Sequence, residues 1–454
     1  MNEALVRYFD ILDKNIRKNK DLSSLENEKV WKKIYPKEPY NDVRFRKLNS
    51  DISKHFENFM AVKEMENDQT LTNSLKIRAF KERKITSLYS GLLSHINAAK
   101  KTQINRSADY YLDLFNIEKT IFGLQSDAVR KSASKDPVKG LNIEEISLNL
   151  DVFYIAEKLK YYCTILSWRR SYKIDYKIAG IEFILKLAQI PLFSEYPPIK
   201  IYFTISRTIT EEDDTDHYFQ LKDLINQHIH LFPPDEAREI MDAAISYCAV
   251  KNNKGIEGFQ DELLDLYKKA LKEGIILDKE GLLSPIAYRN IAAMAMRSND
   301  LDWAEKFIQE YAEKINPEFS ENAKNFSLAR LYFYRNDYDR VIDYLNMVQL
   351  NDFFYNVNAR ILMLLAYYEL DEILSLESLL QSFNAWVKRE KALTKTKKAE
   401  FLGLIRFTRR LSNTPNFEKQ KLEKLLKEVK DTSAIVSKAW LVSKIEEKIG
   451  KKKN

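Results

Sequence analysis

The chain has 454 residues, with 73 Lys and Arg against 66 Asp and Glu, 45% apolar and 31% charged residues, and only 10 Gly and 11 Pro. That balance can bury a continuous core and still clothe a large surface, which excludes disorder along the chain as a whole and favours helix. Cys163 and Cys248 are too few for a disulfide framework or a thiolate metal cage, so buried structural thiols are expected.

The first residues carry Glu3, Arg7 and Asp10 within an amphipathic pattern, which is not the basic-then-apolar layout of a secretory signal. Apolar runs such as Ile361 to Tyr368 stop far short of the roughly 20 residues a bilayer crossing needs. A cytoplasmic protein with no membrane partner is expected. Leu5, Tyr8, Phe9, Leu12 and Ile16 open a helical periodicity that continues almost throughout, and the prolines fall in or beside its gaps.

In chain order the pattern predicts helices at 3–18, 25–34, 42–66, 70–100 and 106–122, forming a helical amino-terminal region over 1–122. A linker is expected over 123–141, where two Gly, one Pro and three Ser cluster. Further helices follow at 142–172, 176–189, 198–208, 216–230, 235–250 and 258–273. Beyond them lie 285–298, 301–315, 320–335, 338–348, 354–370, 374–390, 394–412, 416–430 and 433–449. Ser23 with Glu26, and Asn142 with Glu145, have the spacing of reciprocal helix caps.

Charge is segregated along the chain. Residues 1–135 hold 26 basic against 18 acidic side chains, 136–282 hold 18 against 25, 283–385 hold 9 against 15, and 386–454 hold 20 against 8. Two cationic ends thus flank an acidic middle. Solvation, contact with acidic partners or nucleic acid, and docking of the ends onto the middle of a neighbouring copy all fit this pattern.

Between about 285 and 390, paired helices recur at a step of 35 to 37 residues. Tyr288, Ile291, Ala292, Ala295, Ala304, Ile308 and Tyr311 are followed by Asn325, Leu328, Ala329, Tyr332, Val341, Leu345 and Val348. Met363, Leu364, Tyr367, Leu376, Leu380 and Phe383 then form a third set. With small residues at Ala292, Ala304 and Ala329, and Pro317 near a closing position, this resembles the tetratricopeptide repeat. The sequence departs from that family in lacking an opening Trp and in placing Leu364 where a small residue belongs. The resemblance implies an all-α fold, an α-solenoid of helical hairpins over 142–454 with a basic carboxy-terminal cap at about 386–454. It also implies a partner-binding concave surface.

Enzyme signatures are absent from the sequence. Its glycines form neither a dinucleotide-binding turn nor a phosphate loop, and no His-Glu-x-x-His motif occurs. His217 and His228 lie close to three turns apart, a weak basis for a metal site, and Glu211 to Asp216 lack the layout of a calcium loop. No catalytic, cofactor or metal residues are assigned. Along 394–412, Lys395, Lys398, Arg406, Arg409 and Arg410 fall within an arc of about 120°, opposite Phe401, Leu404, Phe407 and Leu411. They are the candidate partner-binding residues, and the Lys451, Lys452, Lys453 tail adds to their charge. The first reading is a non-catalytic scaffold binding a protein or peptide with a cationic or extended segment, with self-association as a variant. The second is a regulator whose basic ends engage nucleic acid while the repeats bind a ligand.

Overall fold

A computed structural model describes residues 3–17, 25–102, 104–131, 141–172, 174–350 and 352–450. Ser23 of the first expected cap, the Lys451 to Lys453 tail and linker positions 132–140 lie outside the described residues. The described residues are all-helical, 79% helix without a strand, and their helices pack mainly against sequence neighbours. Among them, no helix is long and apolar enough to cross a membrane. The chain forms two compact units: Met1–Thr210 with His230–Pro233, and Glu211–Ile229 with Pro234–Asn454.

In the first unit, α1 (Glu3–Arg17), α2 (Asn27–Ile34) and α3 (Asp42–Asn67) close around Tyr8, Val30, Trp31, Ile34, Phe45 and Leu48. Next, α4 (Gln69–Glu82), α5 (Tyr89–Thr102) and α6 (Ala108–Lys131) enclose Ile77, Ile96, Ile117 and Ile121. The single helix expected over 70–100 is therefore two. Lys84 turns left-handed at φ 57°, and the Ile85 amide donates back to Phe80 O at 3.0 Å, so the chain reverses without a glycine or proline to mark it. Helix α6 runs into the stretch expected as linker, as far as Lys131.

Helix α7 (Ile143–Ser171) packs against α6 and against α10 (Pro197–Thr210). Asn142 does not cap α7 with its side chain. Its amide nitrogen donates instead to the Glu118 carbonyl, at 3.1 Å, and to the Glu118 carboxylate, which also receives Lys100. A carboxylate buried this deeply needs such partners, and that demand outcompetes the cap. The helix expected at 176–189 shortens to α8 (Ile181–Leu187), because Gly180 at φ 74° ends an irregular return that begins after α7; α9 (Pro191–Ser194) is one turn.

The second unit begins with α11 (Asp216–His228), α12 (Pro234–Asn253) and α13 (Phe259–Lys272). Tyr218 and Tyr247 stack with centroids 5.3 Å apart, and the Tyr218 hydroxyl donates to Glu262 at 2.7 Å, tying these three helices together. Both cysteines are buried with free thiols. Burial raises both thiol pKa values, that of Cys248 to about 12, with the neighbouring Tyr218 acting in the opposite direction.

Three hairpins follow: α14 (Pro285–Arg297) with α15 (Leu301–Tyr311), α16 (Pro317–Tyr334) with α17 (Tyr338–Asn346), and α18 (Phe353–Glu369) with α19 (Ile373–Arg389). Helices α12, α14 and α16 open on a proline, where the missing amide costs nothing and φ is already helical.

Each hairpin turns on one left-handed residue: Asn299 at φ 57°, Asn336 at 58° and Asp371 at 56°. Around it the Asp300, Asp337 and Glu372 amides reach back to Ala295 O, Tyr332 O and Tyr367 O at 2.9 to 3.0 Å, closing the orphan carbonyls of the first helix. Gly255, at φ 75°, makes the same turn between α12 and α13.

Seven positions before each turn sit Cys248, Ala292, Ala329 and Leu364, all fully buried. Nine positions after the three later turns sit Ile308, Leu345 and Leu380, also buried. The turn therefore sets a common register for both helices. Helices α20 (Lys395–Asn413), α21 (Lys419–Asp431) and α22 (Lys438–Gly450) continue the core, which runs from Val357 to Ile445 without a break.

A side chain in the left-handed region costs roughly 1–2 kcal/mol, partly relieved in Asn, and glycine removes that cost while losing more chain entropy. Asn299→Gly is therefore expected to raise stability by about 0.5–1 kcal/mol and Asn299→Val to lower it by about 1 kcal/mol. Urea unfolding of the two variants checks this. A stabilising valine would mean that the turn is not left-handed.

Candidate functional site

The candidate cations lie on α20, with Phe401, Leu404, Phe407 and Leu411 buried beneath them. Lys395 and Arg406 are exposed, the Arg406 guanidinium resting 4.4 Å from the Phe407 ring centroid. Lys398 donates to the Lys388 carbonyl at 3.1 Å. Arg409 meets Glu377 of α19 at 3.0 Å, and Arg410 grips Glu428 of α21 with both terminal nitrogens, at 2.5 and 3.1 Å. These two arginines join consecutive helices. Their hydrogen bonds in turn lower the pKa values of Glu377 and Glu428.

A groove of about 650 Å³ opens in the second unit among α12, α13, the 274–284 loop and the first turns of α14 and α16. Its form follows from how the loop is held. Arg238 donates to Ile275 O at 3.1 Å and to Leu277 O, while the Asp278 carboxylate accepts the Glu280 and Leu282 amides at 2.9 and 2.8 Å. The Leu283 amide reaches Lys314 O at 2.6 Å, and Ser284 and Asn316 cap α14 and α16.

The groove walls carry Ile245, Tyr267, Leu282, Ile286 and Phe319. Ile286 is 63% exposed and Phe319 46%, a degree of apolar exposure that marks contact surfaces when it is grouped. Carboxylates of Asp242, Asp278 and Glu280 line the same groove, against the single guanidinium of Arg238. Asp242 reaches water at the mouth, but the walls strip part of its hydration. That desolvation raises its carboxyl pKa, with Arg238 lowering it and Glu239 raising it. The arrangement suits an apolar segment bearing a positive charge. Sequence reasoning missed it because its walls come from positions 238 to 319, which no local pattern links.

Two other clusters stand out. His217 Nε2 lies 3.0 Å from Glu211 Oε2 and 3.4 Å from Asp214 Oδ2, so the acidic loop is gathered onto the start of α11. Among the described residues this is the one trio of His, Cys, Asp or Glu whose donor atoms all lie within 4.8 Å. His217 does not share this site with His228. At the carboxy-terminal end, a cavity of about 390 Å³ is lined by Tyr367, Tyr368, Glu369, Asp371, Lys444 and Glu447, among others. Glu369 accepts the Trp440 indole at 2.8 Å and Lys444 at 2.7 Å, so both of its oxygens are used. Burial opposes the Lys444 charge, yet Glu369 and Glu447 outweigh it and push the ammonium pKa to about 12.

No family model, curated protein or solved structure matches this chain.

The Glu369 cluster docks α22 against α18. Removing its cation leaves a largely buried carboxylate half-paired, a loss of about 1–3 kcal/mol. Lys444→Ala is expected to cost that much in chemical unfolding, whereas Lys419→Ala, at an exposed position, stays within about 0.5 kcal/mol of the parent. Equal effects would remove the cluster's structural role.

Proposed function

We propose that the protein is a non-catalytic scaffold whose second unit binds an extended protein or peptide segment in the groove beside Asp242. The supporting observation is the combination in one cleft of exposed apolar walls, Ile286 and Phe319, with the carboxylates of Asp242, Asp278 and Glu280. Apolar contact would supply most of the affinity and the carboxylates would select a cation.

The helical hairpins on either side, read as tetratricopeptide-like repeats forming a solenoid, present such clefts between successive first helices. Partner chemistry then follows from the site: an extended segment with alternating apolar and Lys or Arg side chains. The nucleic-acid reading has less support, because Arg409 and Arg410 of the basic arc already hold Glu377 and Glu428.

Fluorescence anisotropy with labelled peptides alternating Leu and Lys, against the same length alternating Leu and Glu, tests the proposal. The lysine series should bind, and Asp242→Asn should weaken it roughly tenfold, the scale of one charge-assisted contact. Binding needs the ionised carboxylate, and burial raises its pKa. Affinity should therefore fall with decreasing pH sooner than an ordinary aspartate would dictate. Equal binding of the Leu-Glu series, or indifference to Asp242→Asn, would refute the assignment.

A further inference from the structure

Helix α7 is 29 residues long, about 40 Å. Val152, Ile155, Ala156, Leu159, Cys163 and Leu166 form its buried face. The opposite face should then be polar, but it is not. Ile143, Leu150, Tyr154, Tyr161 and Trp168 fall within an arc of about 40° at 100° per residue, and Tyr172 follows directly after the helix. All six are between 41% and 66% exposed. Tyr154, Tyr161 and Trp168 are spaced at intervals of seven, the repeat that keeps a seam facing a second helix along its whole length.

We propose that this seam is a homodimer interface, in which α7 of one copy packs antiparallel against α7 of another about a two-fold axis between Glu157 and Lys158. The sequence is self-complementary about that point. Antiparallel alignment sets Tyr154 opposite Tyr161, Leu150 opposite Ile165, Ser147 opposite Trp168 and Ile143 opposite Tyr172. The two-fold operation demands this relation, since each contact must occur twice.

Charge gives the orientation. One flank of the seam carries Glu144 and Asp151 in the amino-terminal half and Lys158 and Arg169 in the other. Antiparallel packing brings like flanks together end for end, placing the acidic half of one copy beside the basic half of the next, whereas parallel packing would not. Lys158 and Arg169 also hold the returning chain, through Ala179 O at 3.4 Å and Tyr176 O at 2.5 Å, so the flank is ordered before a partner arrives.

The area is adequate. Aromatic side chains bury roughly 150–250 Å² each, so four half-exposed ones with Ile143 and Leu150 present on the order of 500 Å² per copy. Flanking residues bring the contact towards the roughly 800 Å² per partner of a standard interface.

Sedimentation equilibrium of the full chain should show a dimer. Tyr161→Glu, at a position 59% exposed, should leave helical content unchanged while giving a monomer whose unfolding midpoint no longer depends on protein concentration. Register is read by oxidative cross-linking: Ser147→Cys and Trp168→Cys chains should join when mixed and fail to do so separately. Leu150→Cys mixed with Ile165→Cys gives the same reading without touching the aromatic seam. A parent that stays monomeric, a Tyr161→Glu dimer, or cross-linking of each variant with itself would overturn the proposal. So would a monomer that instead binds vesicles of anionic phospholipid through these residues.

Discussion

Asn299, Asn336 and Asp371 each hold a backbone conformation that costs an ordinary side chain energy, and the register of their hairpins depends on it. The left-handed residue lets the next amide reach back to the first helix, so the second helix starts at a fixed place and angle. Fully buried residues then recur at fixed offsets on both sides: Ala292, Ala329 and Leu364 before the turn, Ile308, Leu345 and Leu380 after it. Leu364 stands where Ala292 and Ala329 stand in the other two hairpins and is equally buried, so the turn keeps its register with a larger side chain at that position.

Charge has two uses in this architecture. In the carboxy-terminal helices it joins neighbours: Arg409 with Glu377, Arg410 with Glu428, Lys430 with Glu446, and Lys444 with Glu369. Exposed pairs of this kind contribute little each, while the largely buried Glu369 contact is worth more and orients the last helix. In the groove, the carboxylates of Asp242 and Glu280 are turned to the surface beside apolar walls. The segmental excess of basic residues at the end of the chain is thus spent in part on carboxylates of the acidic middle, Glu369 and Glu377, while Asp242 and Glu280 of that middle stay at the surface.

Helix content and most helix positions were legible, because burial of one face leaves a 3.6-residue period that even a single sequence displays. Pro285 was also readable as a helix opener, whereas Pro317, expected near the close of a repeat with the next helix starting at 320, opens α16. The reversals were not. Lys84 carries no turn signature, and the Asn-Asp pairs at 299 and 336 look like any polar gap. Asn142 had the right spacing for a cap, but a buried Glu118 next to it was invisible without the fold. The groove joins distant segments and could not be read at all. The α7 seam could have been, since the seven-residue spacing of Tyr154, Tyr161 and Trp168 is in the sequence. Periodicity alone assigns every apolar residue to the core and does not tell an inner face from an outer one.

The proposed occupant of the Asp242 groove in the second unit is an extended cationic segment. Hydrogen–deuterium exchange of the full chain, with and without a saturating peptide of alternating Leu and Lys, tests it most directly. Slowed exchange is expected only at 238–245, 274–290 and 316–320, with α20 to α22 unchanged. Protection centred on the basic arc from Lys395 to Arg410, or none within the groove, would contradict it.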